Sequence, residues 1–144
     1  MWKLTATPDM VTDEDGRFIP RDPMNSDWQA YETWVAEGNT PEAYVAPPAP
    51  VPETISDRQF FQQLALSGVI AKADALAAVK TGEVPAALRT FIELLPSAQQ
   101  FDAEMLLSGA TAFERSHPLT NAIGAAQGMT PEQVDQFFRD AALL

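Results

Sequence analysis

Four prolines within six residues, Pro47, Pro48, Pro50 and Pro52, cut the chain in two. Each removes a backbone donor and fixes φ at about −65°, so neither a helix nor a central strand runs through them. The stretch from Glu42 to Thr54 has no helical or strand periodicity and reads as a semi-rigid polyproline II linker. The expected organisation is an N-terminal docking module over residues 1–45, a Pro-rich linker over 46–55 and an all-α domain over 56–144.

Charge narrows the function classes. The 144 residues carry 20 Asp plus Glu against nine Lys plus Arg, a net charge of −11. Binding nucleic acid needs clustered cations to neutralise phosphate, and a membrane-surface helix needs a basic face, so neither partner is expected. With no cysteine and one histidine there is no thiolate nucleophile, no disulfide and no multi-histidine zinc site; neither a metal nor a cofactor is expected. No apolar run approaches the roughly 18 residues of a membrane span, and the opening Met1–Thr5 lacks a signal-peptide core, so the chain reads as soluble and unsecreted.

In the first part, Trp2–Ala6 alternates weakly and is answered by Arg17-Phe18-Ile19 across Asp13-Glu14-Asp15-Gly16, a strong turn signal. This predicts a short β-hairpin, which is marginal unless it lies on another surface. Ser26 and Gln29 have capping-box spacing, and the helix they start is expected to run to Glu37 and stop at Gly38. On it Trp28, Tyr31, Trp34 and Val35 fall within an arc of about 120°. Burying three such aromatics is worth on the order of 10 kcal/mol as an upper bound, so this face is expected to leave water. It either packs on the ribbon as a small core or docks in part on another chain.

Beyond the linker, capping-box spacings recur at Ser56 with Gln59, Ser97 with Gln100 and Thr130 with Gln133, and Gly68, Gly82 and Gly128 stand where helices end. Helices are predicted over 57–67, 71–81, 85–95, 98–115, 118–127 and 131–143. Short connections make neighbours antiparallel, giving a compact bundle of about five to six helices. The fold class expected is thus mainly α, with an N-terminal β-hairpin and one aromatic helix ahead of the linker. Gln59-Phe60-Phe61 with Ala65-Leu66, and Gln136-Phe137-Phe138 with Ala142-Leu143, share one pattern, read as two core helices using the same solution.

Candidate chemistry is sparse. His117 is the one possible imidazole base, but the adjacent Ser116 is not a nucleophile for it, because that pairing needs side chains that converge in space. A helix-boundary contact is the simpler reading. Asp13, Glu14 and Asp15 lack the ligand spacing of a calcium loop and read as a solvated turn. Asp102 with Glu104, and Glu132 with Asp135, are explained as first-turn acids favoured by the helix dipole. A hydrolase would need two carboxylates converging in a cleft, and no enzyme activity is expected. The small residues Ser108–Ala112 suit close helix packing.

The segment from Gly16 to Pro41 resembles a module recurrent in small tailed-bacteriophage proteins of the tail and tail-fibre region, with the pattern I-P-x-D-P-x-N-x-D-[WY]-x-x-Y-x-x-W-x-x-x-G-N-T-P. Ile19, Pro20, Asp22, Pro23, Asn25, Asp27, Trp28, Tyr31, Trp34 and Gly38 through Pro41 match it. Phe113–Leu119 and Gly128–Thr130 are similar to the helical region of such proteins. The resemblance implies a structural component of a phage tail tip, baseplate or fibre region, present in several copies in the virion tail and in the host cytoplasm during assembly. It implies docking on tail, baseplate or fibre protein through the N-terminal arm. Trp2, Phe18, Trp28, Tyr31 and Trp34 are the expected anchors, since aromatics dominate such contacts. The alternative is a non-virion assembly factor or chaperone for the tail fibre, although the aromatic C-terminal signature expected of fibre chaperones is not present.

Overall fold

In a computed structural model that describes all 144 residues, the chain divides into two units, Met1–Pro48 and Ala49–Leu144. Half of the residues are helical, in seven helices, and the N-terminal unit holds a small antiparallel sheet.

The first unit contains β1 (Lys3–Leu4), β2 (Met10–Thr12), β3 (Phe18–Pro20) and α1 (Ser26–Ala36), with sheet order β1-β2-β3. The Asp-Gly turn was expected to join the Trp2–Ala6 strand to the Arg17–Ile19 strand. Instead it joins Met10–Thr12 to Phe18–Pro20, with Val11 opposite Ile19, and Lys3–Leu4 lies on the far side of β2. The correction follows from reach. A turn over residues 13–16 serves the strands that flank it directly, and a second turn over residues 6–9 joins β1 to β2, closed by Met10 N–H on the Thr7 carbonyl at 3.2 Å, with the Thr5 hydroxyl shared between the Thr7 and Met10 carbonyls, each at 2.9 Å.

Asp13 builds the first turn. One carboxylate oxygen accepts from the N–H of Asp15 and of Arg17 at 3.0 and 2.9 Å, and the other accepts from the Arg17 guanidinium at 2.7 Å. The Arg17 main-chain hydrogen bond, opposed by burial and reinforced by its guanidinium, holds this carboxyl below the usual carboxylate range. Gly16 supplies the left-handed residue, at φ 77°.

Helix α1 is capped by Asn25, whose side chain accepts from Asp27 N–H at 2.9 Å, rather than by the expected Ser26 and Gln29 box. Gln29 reaches back instead to the Pro23 carbonyl at 2.6 Å. Past Gly38, at φ 93°, the chain returns to the sheet. Leu4 N–H donates to the Glu42 carbonyl and Glu42 N–H to the Trp2 carbonyl, at 2.8 and 2.9 Å, so residue 42 covers the β1 edge.

In the second unit the proline-rich residues 49–56, expected as tether up to 55, lie along the helices. The Arg139 guanidinium donates to the Ala49 carbonyl, Val51 packs on the core, and Thr54–Ser56 forms β4. The six helices α2 (Asp57–Leu66), α3 (Lys72–Thr81), α4 (Ala86–Leu94), α5 (Ser97–Gly109), α6 (Pro118–Ala126) and α7 (Pro131–Ala141) follow.

The second unit is not purely helical. The helix expected over 98–115 ends at Gly109, and Ala112–Glu114 forms β5, antiparallel to β4 with Ile55 opposite Phe113. Tertiary packing overrides local preference here, because the ribbon buries Ile55 and Phe113 together and stacks Phe113 on Phe60 at 4.0 Å between ring centres. Capping boxes close at Ser56 with Gln59 and Thr130 with Gln133. The Ser97 with Gln100 box does not form; Pro96 precedes the helix, and the Gln100 amide donates to the Leu95 carbonyl at 2.9 Å.

Phe60, Phe61, Phe137 and Phe138 are all buried, so both copies of the repeated pattern serve the core. Gln59 is the third residue of its helix and Gln136 the sixth, so the copies do not occupy equivalent positions. The small residues near 108 give close packing within this unit: Ser108 Oγ donates to the Gly82 carbonyl at 2.7 Å, and a Cβ on Gly82 would meet the Ser108 main-chain carbonyl oxygen at 2.7 Å.

Candidate functional site

The first unit has one covered sheet face and one open face. Cross-strand partners share a face, and successive residues alternate. Leu4, Val11 and Ile19 therefore point one way, and Lys3, Thr12 and Phe18 the other, joined by Met10 and Pro20. On the covered side Val11, Ile19 and Trp28 are buried, with Trp2 and Tyr31 packed against them. Trp2 meets Tyr31 at 5.5 Å and Trp28 meets Tyr31 at 5.0 Å between ring centres.

This sorts the five expected anchors. Trp28 is 6% exposed and belongs to the core, so in this conformation it has almost no surface to offer a partner. Trp2 and Tyr31 are half-buried beside it. Trp34 is half-buried at the far edge of the helical stripe and lies outside that cluster. Phe18 stands on the open face at 68% exposure. Of the linker prolines, Pro47 and Pro48 end the first unit, and Pro50 and Pro52 belong to the second.

Sequence reasoning missed the other members of the open face. Met10 and Pro20 sit beside Phe18, and the Lys3–Glu42 ion pair at 2.9 Å crosses to Tyr44 and Val45, which are exposed. Lys3, Met10, Phe18, Glu42, Tyr44 and Val45 outline a shallow depression of about 530 Å³. The signal available was the alternation in Met10-Val11-Thr12, which only the correct pairing turns into a face. The β3 edge is guarded. Arg21 N–H donates to the Asp9 carbonyl and Asp13 N–H to the Arg17 carbonyl, so the groups of Phe18 and Pro20 turn outward, and proline has no N–H to offer an added strand. What this unit leaves open is therefore a sheet face rather than a pairing edge.

The residues of the I-P-x-D-P motif carry mainly structural duties. Ile19 and Trp28 form the core, the Asp22 carboxylate accepts from Met24 N–H at 2.8 Å, Asn25 caps α1, and the Asn39 amide donates to the Trp34 carbonyl at 2.8 Å. The motif specifies the platform, and the exposed groups it displays are set largely by residues outside it.

In the second unit, His117 caps α6: its Nδ1 accepts from Leu119 N–H at 3.1 Å. It lines a shallow cleft of about 340 Å³ with Asp102, Leu95 and Leu119. The neighbouring Arg115 is a structural hub. Its guanidinium donates to Asp135 at 2.6 Å, to Asn121 at 2.6 Å and to the Pro131 carbonyl at 3.1 Å, while its N–H donates to the Glu53 carbonyl at 2.8 Å. Asp135 is thereby paired with Arg115 and not with Glu132. No helix is long and apolar enough to cross a membrane.

No family model, curated protein or solved structure matches the chain.

Proposed function

We propose that the chain is a structural component of a bacteriophage tail, in the tail tip, baseplate or fibre region, and that it docks on tail or fibre protein through its N-terminal unit. The observation that carries the reading is the match from Ile19 to Pro41, whose residues build a small platform with an uncovered apolar face. Phe18, Met10, Pro20 and Tyr44 are the contact residues on this account, replacing the buried Trp28. Large exposed apolar groups gathered on one face, rimmed by charge, fit a protein partner. The symmetry of tails then gives several copies per particle.

The test is a quantitative mass-spectrometric inventory of purified particles from the genome that encodes this chain. Fixed stoichiometry with the tail proteins is the expected result, together with loss of the chain from particles when Phe18→Asp is introduced. Presence only with unassembled fibre protein identifies an assembly factor instead. Absence from both particles and precursors contradicts the reading.

A further inference from the structure

Away from the N-terminal sheet, the helical unit carries a second surface whose chemistry calls for a particular partner. On helix α3, Ala78, Ala75, Val79 and Leu76 span an arc of about 160°, taking 100° per residue, and only part of that arc is covered. Ala75 and Ala78 face the core; Leu76 and Val79 are 58% and 40% exposed. Leu66, at the end of α2, is 57% exposed beside them. Leu66, Ala75, Leu76 and Val79 line a groove of about 580 Å³ between α2 and α3, rimmed by Arg58, Lys72 and Lys80.

The rim decides the occupant. The chain has three lysines; Lys3 is paired with Glu42, and the other two stand at this groove with no carboxylate within 4.0 Å. The Arg58 guanidinium is already held, by the Gln62 side chain and the Leu144 main-chain oxygen, at 2.7 and 2.8 Å. A chain of net charge −11 thus places two unpaired lysines at its exposed apolar groove. The two helices have ten residues each, about 15 Å, which matches roughly three turns of a third helix laid along them.

The geometry points to the α2–α3 groove as the docking site for an acidic amphipathic helix of another protein, with its leucine-type side chains in the groove and its carboxylates on Lys72 and Lys80. This is helix-in-groove recognition, in which the apolar contact supplies affinity and the cationic rim supplies selection and orientation. It does not depend on the N-terminal unit or on the tail assignment.

The experiment titrates the intact, isotope-labelled chain by NMR with a synthetic helical peptide of about 12 residues, carrying leucine at i, i+3, i+4 and i+7 and glutamate on the flanking positions. The expected result is a set of shifts confined to α2 and α3. Affinity is expected to fall at least about tenfold when lysine replaces glutamate in the peptide, and by a similar factor in Lys72→Glu/Lys80→Glu, with further weakening as salt rises. Leu76→Ser tests the apolar half of the site; all three positions are on the surface, and an unchanged far-UV spectrum confirms folding. The inference is overturned by no shifts at about 1 mM peptide, by equal binding of the acidic and basic peptides, or by shifts that map elsewhere. It is equally overturned by preference for phosphatidylserine vesicles over the peptide, or by self-association in sedimentation that Leu76→Ser abolishes, which makes the occupant a second copy.

Discussion

The two units meet the same physical demand with very different means. The second buries nineteen apolar residues in one cluster, with four phenylalanines from α2 and α7 at its centre. The first buries three, Val11, Ile19 and Trp28, and relies on local hydrogen bonds at Asp13, Asp22 and Asn25 to hold its turns. A module of 48 residues with so small a core sits near the limit of independent stability, whereas 96 residues with a continuous core do not. The difference teaches how each unit is held together. The first devotes few residues to a core and leaves much of its apolar surface exposed, relying on its turns; the second closes one continuous core.

Core truncation breaks this contrast most severely. Phe138→Ala, at a fully buried ring, is expected to cost about 3 to 5 kcal/mol and to lower the urea midpoint of the helical signal. Trp28→Ala removes a comparable amount from a unit with less to lose. It is expected to unfold the first unit outright, seen as red-shifted emission from Trp2 and Trp34, while the helical midpoint stays in place. Changes of intermediate size sharpen the picture of the second unit. A Cβ on Gly124 would lie 2.5 Å from Val134 Cγ2, so Gly124→Ala is expected to cost about 1 to 3 kcal/mol, and Gly124→Ala with Val134→Ala to recover part of that in a double-mutant cycle. Arg115→Met leaves Asp135 and the Pro131 carbonyl without their partner and is expected to cost about 1 to 3 kcal/mol by urea unfolding.

The smallest effect concerns pH and the first unit alone. Asp13 has its carboxyl lowered in the folded state, so its contribution is complete above the unfolded carboxylate value of about 3.9 and is lost as pH falls through the lower folded value. Below about pH 4 the tryptophan-detected midpoint is expected to decline, and Asp13→Asn is expected to lower it at neutral pH and flatten that decline.

Most of the helical architecture was legible because caps and glycine stops are local signals, and six of the seven helices, all but α5, fall close to their expected ranges. The strands were harder for a physical reason. Thr54–Ser56 and Ala112–Glu114 become strands only through pairing with each other over a distant stretch of sequence, and Met10–Thr12 only through its place between two others. The open face of the first unit was legible in part. Phe18 was named from its aromatic character, but so was Trp28, and periodicity could not say which aromatic faces solvent. Pairing register decides that, and register also adds Met10, Pro20 and Tyr44. The cationic groove on α2 and α3 was missed because Lys72 and Lys80 are unremarkable as letters and meaningful only where two helices bring them to one rim.

All three tryptophans, and both tyrosines, lie in the first unit, while six of the seven helices lie in the second. Urea titration of the intact chain, followed at once by tryptophan emission and by ellipticity at about 222 nm, therefore reads the two units separately. The account predicts an emission midpoint clearly below the ellipticity midpoint. Coincident transitions, or emission that outlasts the helical signal, would contradict it.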